Sequence, residues 1–259
     1  MPAEIDIEVT NLCFQYSQHL EVLEDVNLRI EKGRFLSIVG PSGCGKSTLL
    51  FLVAGLYRPT KGTIYIRGQS VNGVHNEVGF VFQEYNRVLL PWRTVLKNVT
   101  VGLELKGVEK KEAEEIAKKT LELVGLKGFE NFLPTQLSGG MKQRVQIARI
   151  LALNPSILLM DEPFGALDAQ TKENLQDEFA KIWEQQKKTV MFVTHDVEEA
   201  IYLGDQVAVM SRRPAHIVDQ VEVDLPRPRI WSLRSDPRFV ELRKKIALKI
   251  RGEAAYARQ

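Results

Sequence analysis

Gly40-Pro41-Ser42-Gly43-Cys44-Gly45-Lys46-Ser47-Thr48 decides the fold. The stretch follows a compact apolar run, Phe35–Val39, and opens a segment of helical character over 46–55. Glycines at this spacing let the backbone curl so that successive N–H groups point inward at a phosphate. The start of a helix adds the positive end of its dipole at the same place. Lys46 is then placed to reach the β- and γ-phosphates of a nucleotide, and Ser47 to offer its hydroxyl to Mg²⁺. A strand, a glycine-rich turn and a helix in that order imply an α/β fold that binds a nucleoside triphosphate.

A second apolar run, Ile157-Leu158-Leu159-Met160, ends in Asp161-Glu162. A strand buried on both faces carries charge only at its carboxyl end, which is where ligands bind in open α/β sheets. Asp161 suits the surroundings of Mg²⁺, and Glu162 suits a general base acting on the attacking water. His195 follows a third such run, Thr189–Val193. The position alone allows two roles, a phosphate contact or part of a helix start, since Thr194-His195-Asp196 also reads as a cap.

The rest of the chain fits one large domain with an insertion and a tail. Segments 4–12, 63–67, 78–82 and Gln206–Met210 have strand character, and Ala169–Gln186 reads as the helix between two parallel strands. Residues 110–124 place Ala113, Ile116, Ala117, Thr120, Leu121 and Val124 at helical spacing, and 140–153 is another helix closed by Asn154-Pro155. About 86–154 is therefore expected to be a helical insertion into a core made of 1–85 and 155–220. Residues 221–259 are expected to be a tail ending in a basic amphipathic helix. The chain has 259 residues, with 35 Lys and Arg against 33 Asp and Glu, so there is no global electrostatic case for a nucleic-acid partner. Two cysteines, Cys13 and Cys44, make no disulfide framework and suggest a reducing compartment. No secretory signal and no apolar stretch long enough to span a bilayer is present, so any transport role needs a separate membrane polypeptide.

Leu137-Ser138-Gly139-Gly140-Met141-Lys142-Gln143-Arg144 resembles the signature motif of ABC-type ATPases, and lies between the phosphate loop and the acidic strand as in that family. Physically it is a second anion cradle, with a serine hydroxyl and glycine N–H groups at a helix start. The resemblance implies a P-loop NTPase: a RecA-like core with an antiparallel β subdomain and an inserted α-helical signature subdomain. It implies that Gln83 ligates Mg²⁺ and senses the membrane partner, that Asp168 in Ala166-Leu167-Asp168 acts across a dimer, that His195 is the switch histidine, and that Tyr16 stacks on adenine. It further implies ATP and Mg²⁺ as ligands, with each ATP held between one copy's phosphate loop and the Ser138, Gly139 and Gly140 of another copy, identical or paralogous. Closure on ATP and reopening after hydrolysis is a population shift that does the work.

Leu89-Leu90-Pro91-Trp92-Arg93-Thr94-Val95, Met160-Asp161-Glu162-Pro163-Phe164-Gly165-Ala166-Leu167-Asp168, Thr194-His195-Asp196-Val197-Glu198-Glu199-Ala200 and Val223-Asp224-Leu225-Pro226-Arg227-Pro228 look closer to the nitrate/sulfonate/taurine importers. That likeness implies an integral membrane permease, a periplasmic or lipid-anchored substrate-binding protein, and a peripheral place on the cytoplasmic face of the membrane. Trp92 is either a docking residue for the permease or a core residue of the helical part. The basic residues of the tail read as a solvated face.

Overall fold

The computed structural model describes residues 4–17, 20–84 and 88–255. The first expected residue of the insertion, residue 86, lies outside them. Six strands form the central sheet in the order β10-β9-β3-β8-β7-β6, with β10 (Ile217–Glu222) at one edge and antiparallel to β9. Of these, β6 (Val78–Val81), β7 (Ile157–Asp161), β8 (Thr189–Val193), β3 (Phe35–Val39) and β9 (Gln206–Met210) run parallel. Every residue of β3, β7 and β8 is buried, which explains why these strands read as unbroken apolar runs. Because the strands are parallel, their carboxyl ends share one edge. The loops holding Gly40, Gln83, Glu162 and His195 all leave the sheet there.

A second sheet, order β2-β1-β4-β5, is antiparallel and built from β1 (Ile5–Ser17), β2 (Leu20–Glu31), β4 (Lys61–Ile66) and β5 (Gln69–Ser70). The helix α1 (Lys46–Val53) lies below the phosphate loop. Its Leu49, Leu50, Leu52 and Val53 share one core with Ile7, Leu12 and Ile64 of the antiparallel sheet and Ile38 and Leu159 of the parallel one. This single core holds the phosphate loop between the two sheets.

The sequence reading missed β2. Its burial alternates cleanly over Val26, Leu28 and Ile30, but Val22 and Leu23 are both buried. Asp25, at φ +48, marks an irregularity in the pairing with β1. A bulge of this kind breaks the period of two that would reveal a strand. The short strand β10 was missed for a different reason: its burial alternates, but the apolar Ile217 and Val218 are adjacent and the polar Asp219 and Gln220 follow as a pair.

Between β6 and β7 the chain forms α2 (Val95–Leu105), α3 (Lys110–Leu123) and α4 (Gly139–Ala152). Val95, Val99, Ala113, Ala117, Leu121, Val145 and Ala148 make their common core. Asn98, fully buried, fixes the approach to α2: its Oδ1 accepts from Leu90 N at 2.8 Å and its Nδ2 donates to the carbonyls of Leu90, Arg93 and Thr94. Gln146 Nε2 donates to Phe82 O at 3.0 Å, tying α4 to the end of β6.

Beyond β7 come α5 (Ala169–Gln186) and α6 (Val197–Leu203), and the chain ends in α7 (Pro237–Ala255). The segment before α7 is sewn into the body. Arg229 is buried and donates to the carbonyls of Ile201, Tyr202 and Gly204, closing the end of α6. Burial pulls its guanidinium down to about 10. Arg227 pairs with Asp205 at 2.8 Å and lies over the Trp183 ring. Phe239 and Ile246 of α7 are fully buried. Part of the basic face of α7 is therefore matched by body carboxylates: Arg243 meets Glu198 at 2.5 Å, and Lys249 meets Asp219 at 2.9 Å.

Candidate active site

The phosphate loop, β2 and the end of β7 enclose a cleft of about 210 Å³. Tyr16, Ser42, Gly43, Gly45, Lys46, Ser47, Thr48 and Glu162 line it. Gly45 adopts φ +119, and a Cβ there would lie 2.8 Å from Val22 Cγ1. The loop therefore needs glycine at this position for both conformation and space. Lys46 is buried, and its Nζ donates to Gly40 O and Pro41 O, each at 3.0 Å. Pro41 and Cys44 instead line a depression on the outer side of the loop, with Arg212. Cys44 is buried, and burial pushes its thiol up.

Tyr16 is 51% exposed, whereas its neighbour Phe14 is buried. Tyr16 stands edge-on to Phe14 and Tyr57, and its hydroxyl lies 3.0 Å from Thr48 Oγ1. Tyr16 lines the cleft and Phe14 does not.

Asp161 ends β7 with 5% exposure, and its Oδ1 accepts from Ser47 Oγ at 2.8 Å. Burial holds its carboxyl above the ordinary range, and the Ser47 hydroxyl only partly offsets that. Glu162 turns out of the strand in the left-handed region, at φ +40, with its N–H held by Val193 O at 2.9 Å. Such a backbone costs about 1 kcal/mol or more and persists where surrounding structure fixes it. The turn directs the Glu162 side chain at two residues from other strand ends. His195 Nδ1 lies 2.9 Å from Glu162 Oε2, and Gln83 Nε2 lies 3.3 Å from the same oxygen.

His195 is not the helix cap. Asp196 caps α6, accepting from Glu198 N at 2.9 Å and Glu199 N at 3.3 Å. The His195 side chain is left to meet Glu162.

Ser138, Gly139 and Gly140 are not brought to this cleft. Ser138 caps α4, its Oγ accepting from Met141 N at 3.3 Å. Ser138 and Gly140 line a separate depression of about 280 Å³ with Arg144, Thr171 and Asn174. Asp168 caps α5 beside it, with Oδ1 accepting from Thr171 N at 3.0 Å. That backbone N–H lowers the Asp168 carboxyl. The residues singled out in the sequence thus fall into two groups on one chain. Val22 and Arg213, which also line the phosphate-loop cleft, were not singled out. Nothing near them in sequence points to the loop.

The model of the ABC transporter family matches residues 23–165, more than half of the chain. The chain belongs to the ABC transporter ATPase family. As such a cassette it is an ATP-binding, ATP-hydrolysing subunit of α/β fold. An uncharacterized ABC transporter ATP-binding protein of Methanocaldococcus jannaschii is 52% identical, covering 95% of this chain and 91% of its own length. The aliphatic sulfonates import ATP-binding protein SsuB of Bacillus cereus is 45% identical, covering 92% of each chain. A bacterial ABC transporter cassette solved as a dimer is 36% identical, with TM-score 0.74, covering 85% of this cassette and all of its own chain.

Among the described residues no helix is long and apolar enough to cross a membrane. Trp92 is 75% exposed, which removes the core reading, and with Arg93, Leu96 and Lys97 it lines a groove of about 910 Å³ on the helical part.

Proposed function

We propose that the cassette drives uptake of sulfonate-type anions. In this reading it works as one of two ATPase subunits beneath a separate permease, on the cytoplasmic face of the membrane. The SsuB relatives, matched over nearly the whole chain, support the substrate class. The separation of Ser138 from the phosphate loop supports the pairing. An anion cradle unused in one copy has a purpose if it closes on the nucleotide of another. The exposed Trp92 groove is where a permease segment would seat, and the permease would in turn receive cargo from a substrate-binding protein.

The observation that carries the hydrolytic part is the meeting of Gln83, Glu162 and His195 at the mouth of the phosphate-loop cleft. Lys46 exchanges the Gly40 and Pro41 carbonyls for phosphate oxygens when ATP enters. Tyr16 offers its ring to adenine. Ser47 and Asp161, already joined by a hydrogen bond, offer hard oxygen donors to Mg²⁺, and Gln83 adds a carbonyl oxygen. A buried carboxyl held only by a hydroxyl suits a cation. Two or three protein oxygens, completed by phosphate and water, are what Mg²⁺ usually takes. The ion supplies neutralisation of phosphate charge when bound. Glu162 orients the attacking water and accepts its proton, while His195 holds the Glu162 carboxylate and faces the γ-phosphate.

Purification of the tagged chain from its native membranes tests the whole reading. A permease and a substrate-binding protein should co-purify. ATP turnover by the complex should rise when the binding protein carries an alkanesulfonate. Recovery without any membrane protein, or a complex unresponsive to sulfonate, contradicts it.

A further inference from the structure

The turn between β9 and β10 places a second cation at the phosphate loop. Arg213 lines the cleft together with Ser42, Gly43, Lys46 and Ser47. Its Nη2 is 3.1 Å from the point where a Cβ on Gly43 would sit, so the guanidinium lies directly against the loop. Among the described residues no carboxylate pairs with Arg213, nor with its neighbour Arg212, whereas Arg67, Arg144, Arg227 and Arg234 each have one.

The backbone below Arg213 is fixed. Ala215 is fully buried, its N–H donates to Val22 O at 2.9 Å, and its carbonyl accepts from Glu24 N at 3.0 Å. Ser211 N donates to His216 O at 3.0 Å across the turn. The two sheets are therefore joined at this point, and Val22, on the other side of the join, lines the same cleft. An arginine on a rigid base, with no ion-pair partner among the described residues, keeps its donors open to an anion entering the cleft that Lys46 also lines. Arginine also presents a planar fork of donors suited to phosphate oxygens.

We propose that Arg213 is a direct ligand of the nucleotide, donating to oxygens of its phosphate chain beside Gly43. The proposal rests on reading the cleft as the nucleotide site. Both Arg212 and Arg213 line the outer depression, but only Arg213 also lines the cleft, so Arg212 serves as its control.

Equilibrium binding of Mg·ADP and Mg·ATP to the full-length protein tests this. Arg213→Ala should weaken both about tenfold, the scale of one charge-assisted hydrogen bond. Arg213→Lys should recover part of the loss, and Arg212→Ala should bind as wild type. Arg213 is exposed, so its replacement leaves the core untouched, and melting curves check this. Wild-type affinity in Arg213→Ala overturns the proposal. So do equal losses in Arg212→Ala and Arg213→Ala, which would reveal a general field and no contact. Lys46→Ala separates the two levels. If Lys46→Ala loses binding while Arg213→Ala keeps it, the cleft stands and only Arg213 is misassigned. If Lys46→Ala binds as wild type, the nucleotide site itself is misplaced.

Discussion

His195 Nδ1 lies 2.9 Å from Glu162 Oε2, although the two residues stand on loops leaving different strands. A carboxylate only accepts, so the ring nitrogen carries the hydrogen. The bond fixes the carboxylate and engages one of the two ring nitrogens. His195→Ala should lower kcat by about 10²-fold, the low end for a general acid–base partner. ATP affinity should stay close to wild type, because Lys46 and the loop N–H groups remain. Steady-state kinetics with a separate binding titration checks this, and a large loss of affinity with unchanged kcat would contradict it.

Asp161 gives a trade of stability for function with a definite sign. Burial raises its carboxyl in the folded protein. A raised acid favours its protonated form on folding. The stability it allows is thus fully present below the ordinary carboxylate value, about 3.9, and is lost as pH rises through the raised value. At neutral pH the ionised Asp161 is therefore a cost to the nucleotide-free protein. Asp161→Asn keeps an acceptor for Ser47 and removes that cost. It should melt a few degrees higher than wild type at pH 7 without nucleotide, with the gap closing toward pH ~4. Hydrolysis should fall by at least about 10²-fold. A lower melting temperature at pH 7 would show that the carboxylate is stabilised by something other than a bound cation.

Glu199 supports the loop that carries His195 from beneath. It is 3% exposed, and its carboxylate accepts from Thr194 Oγ1 and, at 2.8 Å, from Gln176 Nε2. Lys172 bridges it to Asp196, at 3.7 and 2.8 Å. Burial raises the Glu199 carboxyl despite Lys172. Burial also works against the Lys172 charge, yet Glu199 and Asp196 leave that ammonium raised. Gln176 continues the chain to Arg234 Nη2 at 2.7 Å, so the segment before α7 reaches the residues that flank His195. Glu199→Ala removes one partner of a buried pair and should cost about 3 kcal/mol in denaturant unfolding. Its kcat should fall more than its KM rises, because His195 loses its footing. Glu199→Gln keeps polar partners for Thr194 and Gln176 and should be milder on both counts. Equal effects of the two substitutions would contradict this reading.

Much of the site was legible because each motif sits next to a strand that announces itself. Val39 precedes Gly40, Met160 precedes Asp161, and Val193 precedes His195 by one intervening threonine. Parallel strands then gather these ends at one edge. The placement of His195 needed coordinates, since the sequence left open a helix cap until Asp196 is seen to take it and His195 to meet Glu162. The strand β2 was hidden by its bulge at Asp25. Arg213 was hidden because its relation to Gly43 spans most of the chain and leaves no local pattern. Trp92 was undecided because exposure, not sequence, separates a docking residue from a core residue.

The central claim is that nucleotide joins two copies and that Glu162 breaks the join by hydrolysing it. Glu162→Gln keeps the size of the side chain and its place beside Gln83 and His195 but removes the base. Sedimentation of Glu162→Gln with and without Mg·ATP is the most direct test. The account predicts a monomer without nucleotide, a stable dimer with ATP, and turnover reduced to a small residue. A protein that binds ATP fully yet stays monomeric, or one that hydrolyses at the wild-type rate, would contradict it.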